Sequence, residues 1–155
     1  MTGGHGWHDE GGFVAGAESL IFGVLIFVLG TLVVVNAWGV IDAKFATSAA
    51  AREAVRAVVE SDGTSPHATA RQAASQALSG HGRDTAGMGV VPRWSGSFDR
   101  CEEVGYRVEV TVPALAVFGG VSVGSFTVGS EHYELVEPYR SGLDVDVDEG
   151  VTCAF

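Results

Sequence analysis

The sequence predicts an α+β protein: a long N-terminal helix that crosses a membrane and continues as a stalk, a short second helix, and a small antiparallel sheet. Three observations carry this reading. Residues 19–41 form one apolar run without a charge, residues 42–60 continue it as an Ala-rich stretch free of Gly and Pro, and beyond Gly80 the apolar period becomes strict alternation at Val104, Tyr106, Val108, Val110 and Val112. The run suits a helix in lipid, the Ala-rich stretch lets that helix go on, and the alternation is that of a half-buried strand.

In chain order, residues 1–12 are rich in Gly, His and acids and lack periodicity, as expected of a disordered tail or a leader to be removed. His5, His8 and Asp9 are metal-ligand types, but a flexible segment must lose its entropy to form a site, and the tail is read as solvated. A helix is expected over residues 13–60, with its membrane span at 19–41. At about 1.5 Å per residue the span is roughly 34 Å long, enough to cross a hydrocarbon core with some tilt. Beyond it the helix is weakly amphipathic, with Phe45, Ala49, Arg52, Arg56 and Val59 near one stripe and Ala46, Ala50, Val55 and Val58 on another.

Residues 61–155 form the expected soluble domain. Ser61-Asp62-Gly63 ends the first helix, and Ser65-Pro66 supplies an N-cap and a first-turn proline for a helix to Leu78, closed by Gly80. Strands are expected over 90–94, over 104–112 with Pro113 as the stop, over 121–128 and over 132–136. Gly119-Gly120 and Gly129-Ser130 punctuate them. Strands this close in sequence pair antiparallel, as a meander on which a helix buries one face.

The formal net charge is −10, with most acids after Glu53, so a phosphate backbone is repelled and nucleic-acid binding is not expected. Cys101 and Cys153 both lie beyond the apolar run and share one compartment whatever the topology. Outside the cell they are expected to pair, closing a loop of about 50 residues worth ~4 kcal/mol; the alternative is two unpaired small hydrophobes. Zinc needs more ligands than these two.

Glu18 stands at the mouth of the apolar run, where a carboxylate either snorkels, marks the interface or meets a partner. The stretch 10–23 (EGGFVAGAESLIFG), the apolar helix, the stretch 49–57 (AAAREAVRA) and residues 136–143 (VEPYRSGL) together resemble the TadE-like family of pilus-assembly pseudopilins. The resemblance implies a pilin-like fold, in which the outer half of a long helix packs on a small antiparallel sheet. It implies processing between Gly12 and Phe13, and assembly through Glu18, an acid in lipid pairing with a neighbouring subunit's new N-terminal amine. Cleavage at Gly12 makes Glu18 the sixth mature residue where the family pattern has the fifth, and no basic residue precedes the glycine. The implied partners are the membrane, other pilin-like subunits and pilus-assembly proteins, in homo- or hetero-oligomers built through the N-terminal helix.

Charge counting around the span conflicts with this topology. No Lys or Arg precedes the run while Lys44, Arg52 and Arg56 follow it, which alone places the C-terminal domain in the cytoplasm. The cysteine pair, the acidic domain and the resemblance favour a cytoplasmic N-terminus and an extracytoplasmic domain. Val35-Asn36-Ala37 offers small residues at signal-cleavage spacing, but the n-region lacks its positive charge and the run is too long for an h-region. Gly16, Gly23 and Gly30 recur every seven residues and define a face for close helix contact, or are incidental to a membrane helix. Trp38 is placed at the interface and Trp94 in the core or at the sheet edge.

No nucleophile elbow, zincin, Walker or dinucleotide signature occurs, so no enzyme activity and no cofactor are expected. Residues 144–150 (DVDVDEG) alternate acids like the opening of a calcium loop but lack its sixth-position Gly and distal Glu, and read as a solvated tail. His132 and Glu134, with Glu131 and Glu137 nearby, read as a surface charge strip. The functional expectation is a pseudopilin or minor pilin-like component of a Tad-type pilus or secretion system. A membrane-tethered extracytoplasmic binding module is the alternative.

Overall fold

The computed structural model describes residues 11–94, 98–117, 121–138 and Cys153. Five elements follow in order: α1 (Gly11–Glu60), α2 (Pro66–Gly80), β1 (Gly89–Pro92), β2 (Glu103–Val117) and β3 (Val121–Leu135). By its contacts the chain divides into two units, Met1–Ala37 and Trp38–Phe155.

In the first unit α1 is an apolar helix, largely exposed, with Leu32 and Asn36 half-buried. Leu20, Phe22, Leu25, Phe27, Val33 and Val35 all expose more than half of their surface. Three of its polar side chains donate to its own backbone: Ser19 to Gly16 O at 2.9 Å, Thr31 to Phe27 O at 2.8 Å and Asn36 to Leu32 O at 2.8 Å. Such back-bonding spares a helix in lipid any unpaired hydroxyl or amide. This segment is long and apolar enough to cross a membrane.

In the second unit the rest of α1 buries Ala43, Ala46, Thr47, Ala50, Ala51, Ala54, Val55 and Val58, steps of three and four along one face. That face is sharper than the weak amphipathicity expected, because alanine defines it through size rather than hydrophobicity. Phe45, Arg52 and Arg56 stay exposed. Opposing it, Val104, Tyr106, Val108, Val110 and Val112 of β2 are buried in strict alternation, and α2 adds Ala70, Ala74 and Leu78. Two buried hydroxyls tie helix to sheet: Thr47 Oγ1 and Ser130 Oγ lie 3.2 Å apart, and Lys44 Nζ donates to Gly129 O beside them.

The sheet has three antiparallel strands in the order β1-β2-β3. Two expectations are corrected. Pro113 does not stop β2, which runs on to Val117. β1 leaves β2 at the Gly89–Glu109 pair, so Pro113 sits where β2 has one neighbour and a missing N–H is tolerated. Gly129-Ser130 is not a break either, and the two strands expected around it are one, β3, with Gly129 opposite Glu109 and Ser130 opposite Val108. A Cβ on Gly129 would lie 3.0 Å from Glu109 Cγ and 3.2 Å from Arg107 Nε, so the glycine makes room for the Arg107–Glu109 pair that crosses it.

The ends of α2 also differ from expectation. The Ser65 side chain makes no capping bond; its carbonyl instead accepts from Ala68 N–H and Thr69 N–H, both at 3.1 Å. Gly80 lies inside the helix and the stop is Gly82, at φ +68°. Gly82 N–H donates to Ser79 O and Arg83 N–H to Leu78 O, the paired bonds of a Schellman end. Arg83 then reaches back to α1, donating to Gly39 O at 3.1 Å and pairing with Asp42.

Candidate functional site

The residues expected to act in assembly all lie on α1. Gly12 and Phe13 fall in its first turn, and Glu18 and Gly16 are exposed two residues apart. A Cβ built on Gly16, Gly23, Gly30 or Gly39 meets nothing within 4 Å. Each glycine costs a helix about 1 kcal/mol relative to alanine, and no contact inside the described residues returns it.

Helical geometry separates these features. Seven residues advance a helix by about 700°, so Gly16, Gly23 and Gly30 drift only about 20° per step and share a face. Glu18 lies about 200° from Gly16, 140° from Gly23 and 120° from Gly30 by the same advance of about 100° per residue. The acid and the glycines therefore face different directions, and one neighbouring helix cannot engage both.

The second unit holds the remaining chemistry-bearing groups. Tyr106 is fully buried, and its hydroxyl lies 3.0 Å from His67 Nδ1 of α2. Trp94 and Phe98 complete an aromatic cluster, with ring centroids of His67 and Trp94 6.5 Å apart and those of Trp94 and Phe98 6.4 Å apart. Burial pushes the Tyr106 phenol above its ordinary value, and the neighbouring Trp94 indole offsets part of the rise. The indole N–H is itself buried and makes no well-formed hydrogen bond, so its influence on the phenol is one of proximity. Trp94 thus sits partly buried against the core, as expected. The cluster links α2 to the sheet.

His132 and Glu134 share one face of β3 at 3.7 Å, while Glu131 points the other way and pairs with Arg93 at 3.3 Å. The expected strip is thus split across the two faces of the sheet. Among the described residues no three metal-ligating side chains converge. His5, His8, Asp9 and the acidic residues 144–150 lie outside the described residues. An open depression of about 540 Å³ between α2 and the loop before β1 is bounded by Arg71, Gln72, Ser75, Thr85 and Met88, without an acid–base pair.

Cys101 and Cys153 are joined in a disulfide across 52 residues, with Cα atoms 5.3 Å apart. The half-cystine at 101 holds φ +64°, a left-handed conformation for a non-glycine residue, and its N–H donates to Val136 O at 3.0 Å. The bridge fastens Cys153 two residues ahead of the start of β2. The features that sequence reasoning passed over are the Thr47–Ser130 contact and the His67–Tyr106 bond; a polar residue inside each apolar pattern was the available signal. No protein-family model, no curated protein and no solved structure matches the chain.

Proposed function

We propose that the chain is a pilin-like structural subunit of a Tad-type pilus or secretion system. It is anchored in the membrane by α1, with the unit Trp38–Phe155 outside the cytoplasm, and it acts through helix association rather than catalysis. The observation that carries this reading is the division of one helix between two environments: residues 18–42 of α1 have no buried member, while residues 43–58 bury a full face against a small antiparallel sheet. A helix whose residues 18–31 are all exposed and mostly apolar is suited to partnering by lipid and by other helices. Glu18 and the glycines on separate faces support contact with more than one neighbour, as in a bundle or filament. The disulfide supports an oxidising compartment for the second unit against the charge bias that opposes it.

The test begins with the N-terminal sequence and intact mass of protein extracted from its native membrane. A start at Phe13 or an adjacent residue supports prepilin-type processing, whereas an intact Met1 favours an uncleaved tether. Glu18→Gln then separates assembly from anchoring: the expected result is normal membrane insertion with loss of assembly, and unchanged assembly overturns the pilin reading.

A further inference from the structure

The two faces of the sheet differ in what covers them. The face of Val104, Tyr106, Val108 and Val110 is buried together with residues of α1 and α2. Strand alternation and register put Gly105, Arg107 and Glu109 on the opposite face, level with Tyr133, Glu131 and Gly129 of β3. Arg93, whose N–H donates to Gly105 O at 2.8 Å, joins them from the end of β1. Among the described residues no helix packs on this outer face.

Side chains lie along it rather than standing up from it. The Tyr133 ring rests on Gly105, where a Cβ would overlap its Cδ1 and Cε1, and the residue stays 42% exposed. Arg107 and Glu109, paired at 2.6 Å, lie over Gly129, and Arg93 crosses the sheet to Glu131 at 3.3 Å. All four charged side chains remain partly exposed. A guanidinium has five donors and a carboxylate about four acceptor sites, so each pair holds its members in place and leaves both donors and acceptors facing water.

We infer that the outer face of the sheet binds a neutral glycan chain, with one sugar ring stacked on Tyr133 and sugar hydroxyls bridging to the Arg93–Glu131 and Arg107–Glu109 pairs. The site lies wholly within the unit Trp38–Phe155 and does not depend on helix assembly. Shape, charge and area select this ligand. Small molecules bind in concave pockets, whereas an open sheet face bearing an aromatic ring suits a chain that lies along it. Two arginines balance two glutamates, so the face attracts neither sign of charge, and a formal charge of −10 repels an anionic polymer. A sugar hydroxyl both donates and accepts, which matches paired guanidinium and carboxylate groups. A second copy fits less well: where all three strands pair, the face measures about 14 Å by about 17 Å, well under half of the ~800 Å² per partner of a stable protein interface.

The experiment uses the full chain in phosphatidylcholine nanodiscs, because glycoside detergents would compete for the site. Cellohexaose, maltohexaose, mannohexaose and chitohexaose are offered one at a time, and binding is read by saturation transfer from protein to sugar protons. Transfer to at least one of them is expected. Its dissociation constant should rise about tenfold in Tyr133→Ala and stay within about twofold of native in Tyr133→Phe, which keeps the ring. Transfer to none of the four sugars, or equal affinity in the native chain and Tyr133→Ala, overturns the inference. If Tyr133→Ala does not fold, Arg107→Met decides: weaker binding is expected, and native affinity overturns the role of the ion pairs and the inference with it. Cross-linked dimers that form through this face and vanish in Tyr133→Phe or Arg107→Met, without sugar binding by the native chain, assign the face to a second copy and overturn the glycan.

Discussion

Thr47 and Ser130 are the two buried polar side chains of the described core, and each is the other's partner across the helix–sheet interface. Thr47 also donates within α1, to Ala43 O at 3.0 Å, which leaves Ser130 more dependent on the pair. Removing the Thr47 hydroxyl strands that of Ser130, at about 1–3 kcal/mol, while removing both leaves an apolar contact of similar shape. Thr47→Val is therefore expected to lower the unfolding free energy by about 1–2 kcal/mol. In Thr47→Val/Ser130→Ala the loss should be smaller than the sum of the single losses, read by chemical denaturation of all three variants. Tyr106 gives a second residue-scale prediction. Its phenol titrates above the ordinary value of 10.0 because burial disfavours the anion. The folded pKa is raised, so the contribution to stability is complete below pH 10 and is lost as pH rises through the folded value. A pH series of melts should fall off in that alkaline window for the native chain and less steeply for Tyr106→Phe; equal slopes would assign the loss to other groups.

At the scale of elements, the apolar run, the change of period after Gly80 and the turn residues made both helices and the β2 core face legible before any coordinates. The lengths of β2 and β3 were not legible, because Pro113 and Gly129 carry the marks of strand ends. Whether a proline is tolerated depends on how many neighbours the strand has at that level, and whether a glycine breaks a strand depends on what crosses it. Pro113 lies where β1 is gone, and Gly129 lies beneath Arg107 and Glu109. Gly105 repeats the lesson from the other side, since a Cβ there would meet the Tyr133 ring at 2.3 Å. Of the candidate site, the sequence yielded the apolar run, Glu18 and the glycine spacing, and the separate faces of acid and glycines follow from their numbers once the stretch is granted to be one helix. Gly124, at φ +71°, is the strand glycine whose backbone conformation itself favours glycine. Gly124→Val forces a branched side chain to φ +71° and is expected to cost about 1–2 kcal/mol and to loosen the hairpin end locally. Hydrogen exchange should quicken across 111–127 and stay unchanged in α2; uniform quickening would mean that the bend matters to the whole sheet.

The whole molecule joins two units whose stability has different origins. In the helix of the first unit Ser19, Thr31 and Asn36 each donate to the backbone one turn back, so its fold leans on local bonds more than on a core. The second unit has a core built largely of Ala and Val, whose small side chains bury little area apiece, so it has less to lose before unfolding. A cross-link that restricts its unfolded state then weighs heavily. The Cys101–Cys153 bridge closes a loop that chain entropy values at about 4 kcal/mol, a large fraction of what a domain of this size has. Placed in a reducing compartment, the second unit would forfeit that contribution while the first would be untouched. Cys153→Ser in the full chain, or reduction of the native bridge, is expected to lower the melting temperature followed by near-ultraviolet signals of the Trp94–Tyr106 cluster. The far-ultraviolet helical signal from the apolar half of α1 should persist through that transition in detergent or nanodiscs. A melt in which both signals vanish together would show that the two units unfold as one, and the independence argued from their separate means of support would be wrong.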